Sequence, residues 1–170
     1  MEPTAERYAT DGRRRILVVA NETVGGEALR EVVEAHARGY EAEALVVCPA
    51  LASRLSYWLS DVDGARAKAA RRLADSLAAL AALGIQSEGR VGDPDPVQAI
   101  QDALRTFPAD EIIVSTHPPG RSNWLEKRVV ERARARFAVP ITHVIVDLDC
   151  ERTSAEPVAV GSRAAATDDG

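Results

Sequence analysis

The chain has 170 residues, of which 46% are hydrophobic and 28% charged, and carries a formal net charge of −5. That balance excludes a disordered chain and leaves room for one domain with a proper core, not two. It also excludes a general grip on nucleic acid, which needs a surplus of Lys and Arg, so small molecules and proteins remain as partners.

Two cysteines, Cys48 and Cys150, lie far apart without metal-ligand spacing and read as small buried hydrophobes of a reducing compartment; no metal site is expected. Residues 1–14 and 150–170 lack hydrophobic periodicity and read as disordered tails around a single domain over residues 15–149. The polar start and the lack of any long apolar run lead to the expectation of a cytoplasmic protein without a membrane span.

Arg15–Ala20 (RILVVA) is a short continuous apolar run, the pattern of a strand buried on both faces of a parallel sheet. After the turn Asn21–Gly26, the spacing of Leu29, Val32, Val33 and His36 predicts a helix, ended by Gly39. Ala44–Cys48 is the second strand, stopped by Pro49. Residues 50–60 read as a loop with local helix around Leu51, Leu55 and Trp58. A long helix follows from about Asp61 to Leu83, with Ala69, Leu73, Leu77 and Leu80 on one stripe and Gly84 at its end. Ile85–Val91 is a more polar strand, as suits a sheet edge.

In Gly92–Val97 (GDPDPV) an Asp is twice followed by Pro, the signature of an N-cap with Pro at the first helical position. The helix that follows buries Val97, Ile100 and Leu104. Glu111–Ser115 is the fourth strand. Leu125, Val129, Ala133 and Phe137 form an i, i+4 ladder on the last helix before Pro140, and Ile141–Asp147 is the fifth strand. Strand and helix alternate throughout, which with right-handed crossovers predicts a single five-stranded parallel α/β sheet, Rossmann-like, with helices on both faces. Ligands of such sheets sit beyond the carboxyl ends of the strands, where strand order reverses.

The turn after the fourth strand, Ile113–Ser122 (IVSTHPPGRS), resembles the Thr-His-Gly-Arg-Ser loop of universal stress proteins with two prolines inserted. Ile16–Asn21 resembles that family's first strand and the residue ending it, Gly92-Asp93-Pro94 its third-strand exit, and Val129–Val146 its last helix, Pro turn and last strand. The resemblance spans residues Arg15 to Asp147. It implies strand order 3-2-1-4-5, dimerisation and, in one branch of the family, ATP bound at the carboxyl edge. That branch cradles phosphates on a loop of Gly, two residues, Gly, nine residues, then Gly and Ser or Thr. Here Ser115 stands at the first Gly, Gly120 can stand for the second, Lys127-Arg128 meets the final pair, and Asn21 replaces the family's first-strand Asp.

The candidate ligand site therefore comprises Asn21, Glu22 and Thr23 after the first strand, Cys48 at the end of the second, and Ser115, Thr116, His117, Gly120, Arg121, Ser122 and Asn123 after the fourth. Asn21 suits a base or ribose, or is a turn residue. Gly25 and Gly26 admit an anion to a helix N-terminus or merely ease the turn. His117 can hydrogen-bond a ligand; it has no visible Ser or carboxylate partner for catalysis. Pro118 and Pro119 remove two N–H donors from the loop. Arg121 and the N–H groups near Ser122 and Asn123 can hold an anion, although capping with Glu126 accounts for the same residues. Trp58 and Trp124 stack on a ring or pack as core and lid. Arg132, Arg134 and Arg136 read as solvated surface, and His36 and His143 carry no assigned role.

These readings lead to the expectation of a small-molecule or nucleotide-binding regulatory module, not an enzyme and not a standard ATP binder. No cofactor is certain; an adenine nucleotide or another anion is the candidate. A homodimer through the fifth strand is expected, because that strand is an apolar edge without Lys, Arg or an internal Pro. A ligand-free dimeric scaffold is the alternative, and a nucleotide-hydrolysing enzyme a more distant one.

Overall fold

The computed structural model describes residues 12–20, 26–49, 62–120 and 128–147. The expectations placed on Asn21, Glu22, Thr23, Gly25, Trp58, Arg121, Ser122, Asn123, Trp124, Leu125 and Cys150 lie outside the described residues. Within them the elements are β1 (Arg13–Ala20), α1 (Glu27–Ala37), β2 (Glu41–Pro49), α2 (Val62–Ala82), β3 (Gln86–Gly92), α3 (Pro96–Leu104), β4 (Glu111–Thr116), α4 (Val129–Arg136) and β5 (Ile141–Ile145). The strands form one five-stranded sheet in the order β3-β2-β1-β4-β5, every ladder parallel.

The unbroken apolar runs fall in the middle of the sheet, where both faces are covered, and so alternation is not required of them. Ile16–Ala20, Ala44–Cys48 and Ile112–Val114 are all buried. Side chains of alternating parity feed two cores. Ile16, Val18, Val46 and Ile113 meet Leu29 and Val33 of α1 and Leu73 and Leu80 of α2. Leu17, Val19, Val47 and Ile112 meet Val97 and Ile100 of α3 and Val129 and Ala133 of α4 on the opposite face. Burying a side chain of this size contributes roughly 1.5–3 kcal/mol before conformational entropy is subtracted.

Strand ends depart from the expected bounds. β1 begins at Arg13, two residues before the expected domain start, because Arg13 and Arg15 pair in register with Glu41 and Glu43 of β2. The Arg13–Glu41 ion pair is 3.3 Å long. Opposite charges across a ladder favour pairing without any apolar signal in the sequence. β5 ends at Ile145, short of Asp147, although the Val146 N–H still donates to the Thr116 carbonyl at 2.8 Å.

Helix ends are set by local chemistry. Asp95 caps α3: its Oδ1 accepts the Val97 N–H at 2.8 Å, and Pro96 opens the helix. The preceding Asp93 accepts the Asp95 N–H at 2.8 Å, so of the two Asp-Pro pairs the first makes a turn and the second the cap. Gly39 and Gly84 follow α1 and α2 with positive φ, as expected. α1 buries Leu29, Val33 and Ala37, with Val32 against the same core; His36 leaves the apolar stripe for a polar contact.

That contact belongs to a cluster at the amino edge of the sheet. The Glu111 carboxylate accepts from Arg14 at 3.1 Å and from the Thr142 hydroxyl at 2.7 Å, and meets His36 Nδ1 at 2.7 Å. It thus joins β1, α1, β4 and β5. Burial pushes its carboxyl up, but Thr142, Arg14 and His36 outweigh burial and hold it below the ordinary value.

Arg132, Arg134 and Arg136 of α4 are exposed, as expected, and each also bonds a neighbouring element. Arg132 reaches Asp95 at 3.0 Å, Arg134 donates to the Ile141 carbonyl at 3.3 Å, and Arg136 bonds Gln101. Arg132 and Arg136, one turn apart, face α3, whereas Arg134 faces β5.

Candidate functional site

In this strand order the chain turns outward from β1 to β2 and returns across the sheet to β4, so the reversal falls between β1 and β4. The connection after β1 leads to α1 on one face and that after β4 leads to α4 on the other. The two helices lie on opposite faces, and in sheets of this class the ligand crevice is found at the carboxyl edge between such connections.

Ala20 and Ser115 are register partners at this edge, and Thr116 is the last residue of β4, beside Ile145. Ser115 is 1% exposed and Thr116 2%. Alternation turns Ser115 toward the α1 face with Ile113, and Thr116 toward the α4 face with Val114. Cys48 is a buried thiol near the end of β2. It lies two strands from Ser115, about 10 Å at ordinary strand spacing, so the structure does not bring it into the β1–β4 crevice. Gly26 is buried at the N-cap of α1 in extended conformation.

Beyond β4, His117 and Pro118 are half-buried and Pro119 and Gly120 exposed. Gly120 has φ +86°, and a Cβ built on it would meet no atom within 4 Å. Backbone conformation, not crowding, therefore calls for glycine here. At the far end of the same connection Arg128 holds φ 51° and ψ 43° at the N-cap of α4, with no side-chain cap hydrogen bond. A non-glycine residue in this region costs roughly 1–2 kcal/mol, and such strain gathers at ligand sites.

Sequence reasoning assigned His143 no role, yet it sits under this edge. Its Nε2 lies 2.8 Å from Thr116 Oγ1. Burial first, and then the Arg134 charge, lower its pKa against a smaller opposing effect of Glu131, so the ring is neutral near pH 7. A hydroxyl bonded to a neutral imidazole is the beginning of a nucleophile–base pair. Thr116 is 2% exposed, and the bond ties β5 to β4. His36 and His143 were both hidden from sequence reading because their partners lie 75 and 27 residues away. Among the described residues no group of three or more His, Cys, Asp or Glu is placed to hold a metal ion. No helix among them is long and apolar enough to cross a membrane.

No protein-family model and no curated protein matches the chain in sequence. Solved structures do. The hypothetical protein MJ0577 is similar with a TM-score of 0.59 and 18% identity, over 79% of this chain and 97% of that one. A universal stress protein family protein from Arabidopsis thaliana, with AMP bound, gives 0.57 and 14%, over 80% and 94%. A universal stress protein from Archaeoglobus fulgidus gives 0.57 and 14%, over 79% and 98%. The chain has the fold of the universal stress proteins, in the strand order that the resemblance implied.

Proposed function

We propose that the chain is a universal stress protein-like regulatory module that binds an adenine nucleotide or a related anion at the β1–β4 carboxyl edge, without catalysis. The observation that carries this reading is the backbone of the connection after β4, left-handed at Gly120 and again at Arg128, the second at an energetic cost. Strain of that kind at a topological switch point suits a loop shaped around a ligand. The AMP bound to the similar Arabidopsis protein supports the ligand class.

The phosphate end is weaker than the base end. Ser115 replaces a glycine, Lys127-Arg128 replaces the Gly-Ser pair, and Pro118 and Pro119 offer no N–H. A monophosphate loses fewer contacts by these changes than a triphosphate, so AMP should bind more tightly than ATP. Thermal unfolding with adenosine, AMP and ATP tests this, because a ligand selective for the native state raises its stability by mass action. AMP should raise the midpoint most; no shift with any of the three would refute the reading.

The module acts as a homodimer through β5. This strand lies at the sheet edge, and Ile145 is 51% exposed on it. The Val146 N–H points to β4, so by alternation the Ile145 N–H points outward, free to pair with an antiparallel copy.

A further inference from the structure

α1 and α2 cover the same face of the sheet but spread apart over it. α1 leans toward β5, whereas α2 lies over β2 and β3. The β1–β2 pair is thereby left between the helices, and a cavity of about 220 Å³ occupies the gap. Val18 and Val46 form its floor, Leu29 and Val33 one wall, and Ser76 and Leu80 the other. Four of these six residues are valine or leucine with 1–4% exposure, so the cavity reaches into the core. Ala79 also lines it, where a larger residue would close the gap.

We propose that this cavity is a binding site for a small, flat, neutral molecule of two fused rings with one polar group, a compound of the indole class. Size sets the first term. An apolar cavity of about 150 Å³ accommodates benzene, so one about half as large again suits a second ring. Neutrality follows from the charges present. Glu27 and Arg30 line the outer part of the cavity and already pair with each other at 3.1 Å, and a ligand charge carried inward would find no partner among valines and leucines. The single polar group follows from Ser76, a buried hydroxyl in an otherwise apolar wall. Ser76 is already engaged within the fold, but a hydroxyl has one donor and two acceptor positions, which leaves capacity for a ligand N–H.

Of the candidate edge the site touches Gly26 at the start of α1. None of Ser115, Thr116, His117 or Gly120 lines it, and the connection from Gly120 to Arg128 leads to α4 on the other face of the sheet.

The test is a titration of the full chain with indole, followed by amide NMR shifts, with naphthalene and indole-3-carboxylate alongside. Saturable shifts should centre on Val18, Val46 and Ser76. Naphthalene should bind several-fold more weakly than indole and the carboxylate at least tenfold more weakly. Ala79→Leu and Ala79→Phe should each weaken indole at least tenfold, with folding of both variants checked by their own amide spectra. Ser76→Ala, which leaves the cavity open, should bring indole down to the affinity of naphthalene. Absence of saturable shifts in the parent chain would overturn the proposal. So would shifts centred on Ser115 and Gly120, or undiminished indole binding in whichever filled variant folds.

Discussion

Glu111 should be among the most costly polar residues to replace. Its side chain is 6% exposed, and it is bonded by Arg14, His36 and Thr142. In Glu111→Ala the Thr142 hydroxyl and the His36 ring lose a partner, and the Arg14 guanidinium faces an apolar gap. Removing one member of a buried ion pair costs roughly 3–5 kcal/mol. Arg14 is 31% exposed and can partly rehydrate, which favours the lower end, about 3 kcal/mol. With a urea slope of about 2 kcal/mol per molar, the unfolding midpoint should fall by about 1.5 M at pH 7. Glu111→Gln keeps an acceptor for Thr142 and should cost about 1–3 kcal/mol.

The pH dependence has a definite sign. The folded-state pKa of Glu111 lies below its ordinary 4.5, so the unfolded chain binds the proton first as pH falls. The stabilisation is complete above the unfolded value and is lost as pH drops through the folded one. The parent chain should therefore destabilise on acidification more steeply than Glu111→Gln, and the two curves should converge. A cost below about 1 kcal/mol for Glu111→Ala at pH 7 would show that the cluster is not a stabilising unit. An equal gap between parent and Gln variant from pH 7 down to pH 3 would refute the linkage.

Three further outcomes are expected. Arg128→Gly should be neutral or stabilise by up to about 1 kcal/mol in chemical denaturation, since relief of left-handed strain outweighs the added unfolded-state entropy; a loss above that size would remove the strain. Asp95→Ala should cost about 1 kcal/mol through loss of the α3 cap, with the exposed Arg132 pair adding little; helical content by circular dichroism would fall, and an unaltered midpoint would contradict the cap. Ile145→Pro removes an outward N–H without touching the β4 ladder, so light scattering should show monomers, and an unchanged dimer mass would place the interface elsewhere.

The middle of each central strand was legible because burial on both faces imposes an unbroken apolar run, as in Ile16–Ala20. The α3 start was legible because Asp95 and Pro96 act within two residues of each other. Strand beginnings were not, since Arg13 and Glu41 meet only after β1 and β2 pair, and nothing in either charged segment signals a strand by itself. Ser115 and Thr116 were legible as the carboxyl end of the fourth strand, whereas His143 and Glu111 gain their partners only through the sheet. The α1–α2 cavity was equally hidden. Ser76 and Ala79 look like ordinary positions of an alanine-rich helix, and only the divergence of the two helices gives them a shared space.

The central claim is a nucleotide site at the β1–β4 edge with a weakened triphosphate end. Its most direct test is a calorimetric titration of the full chain with AMP and with ATP, paired with amide NMR mapping. The account predicts that AMP binds more tightly than ATP, that ATP binds more weakly than the submillimolar range, and that shifts gather at Ser115, Thr116 and Gly120. Submillimolar ATP binding, or AMP binding that leaves those three amides unmoved, would contradict it.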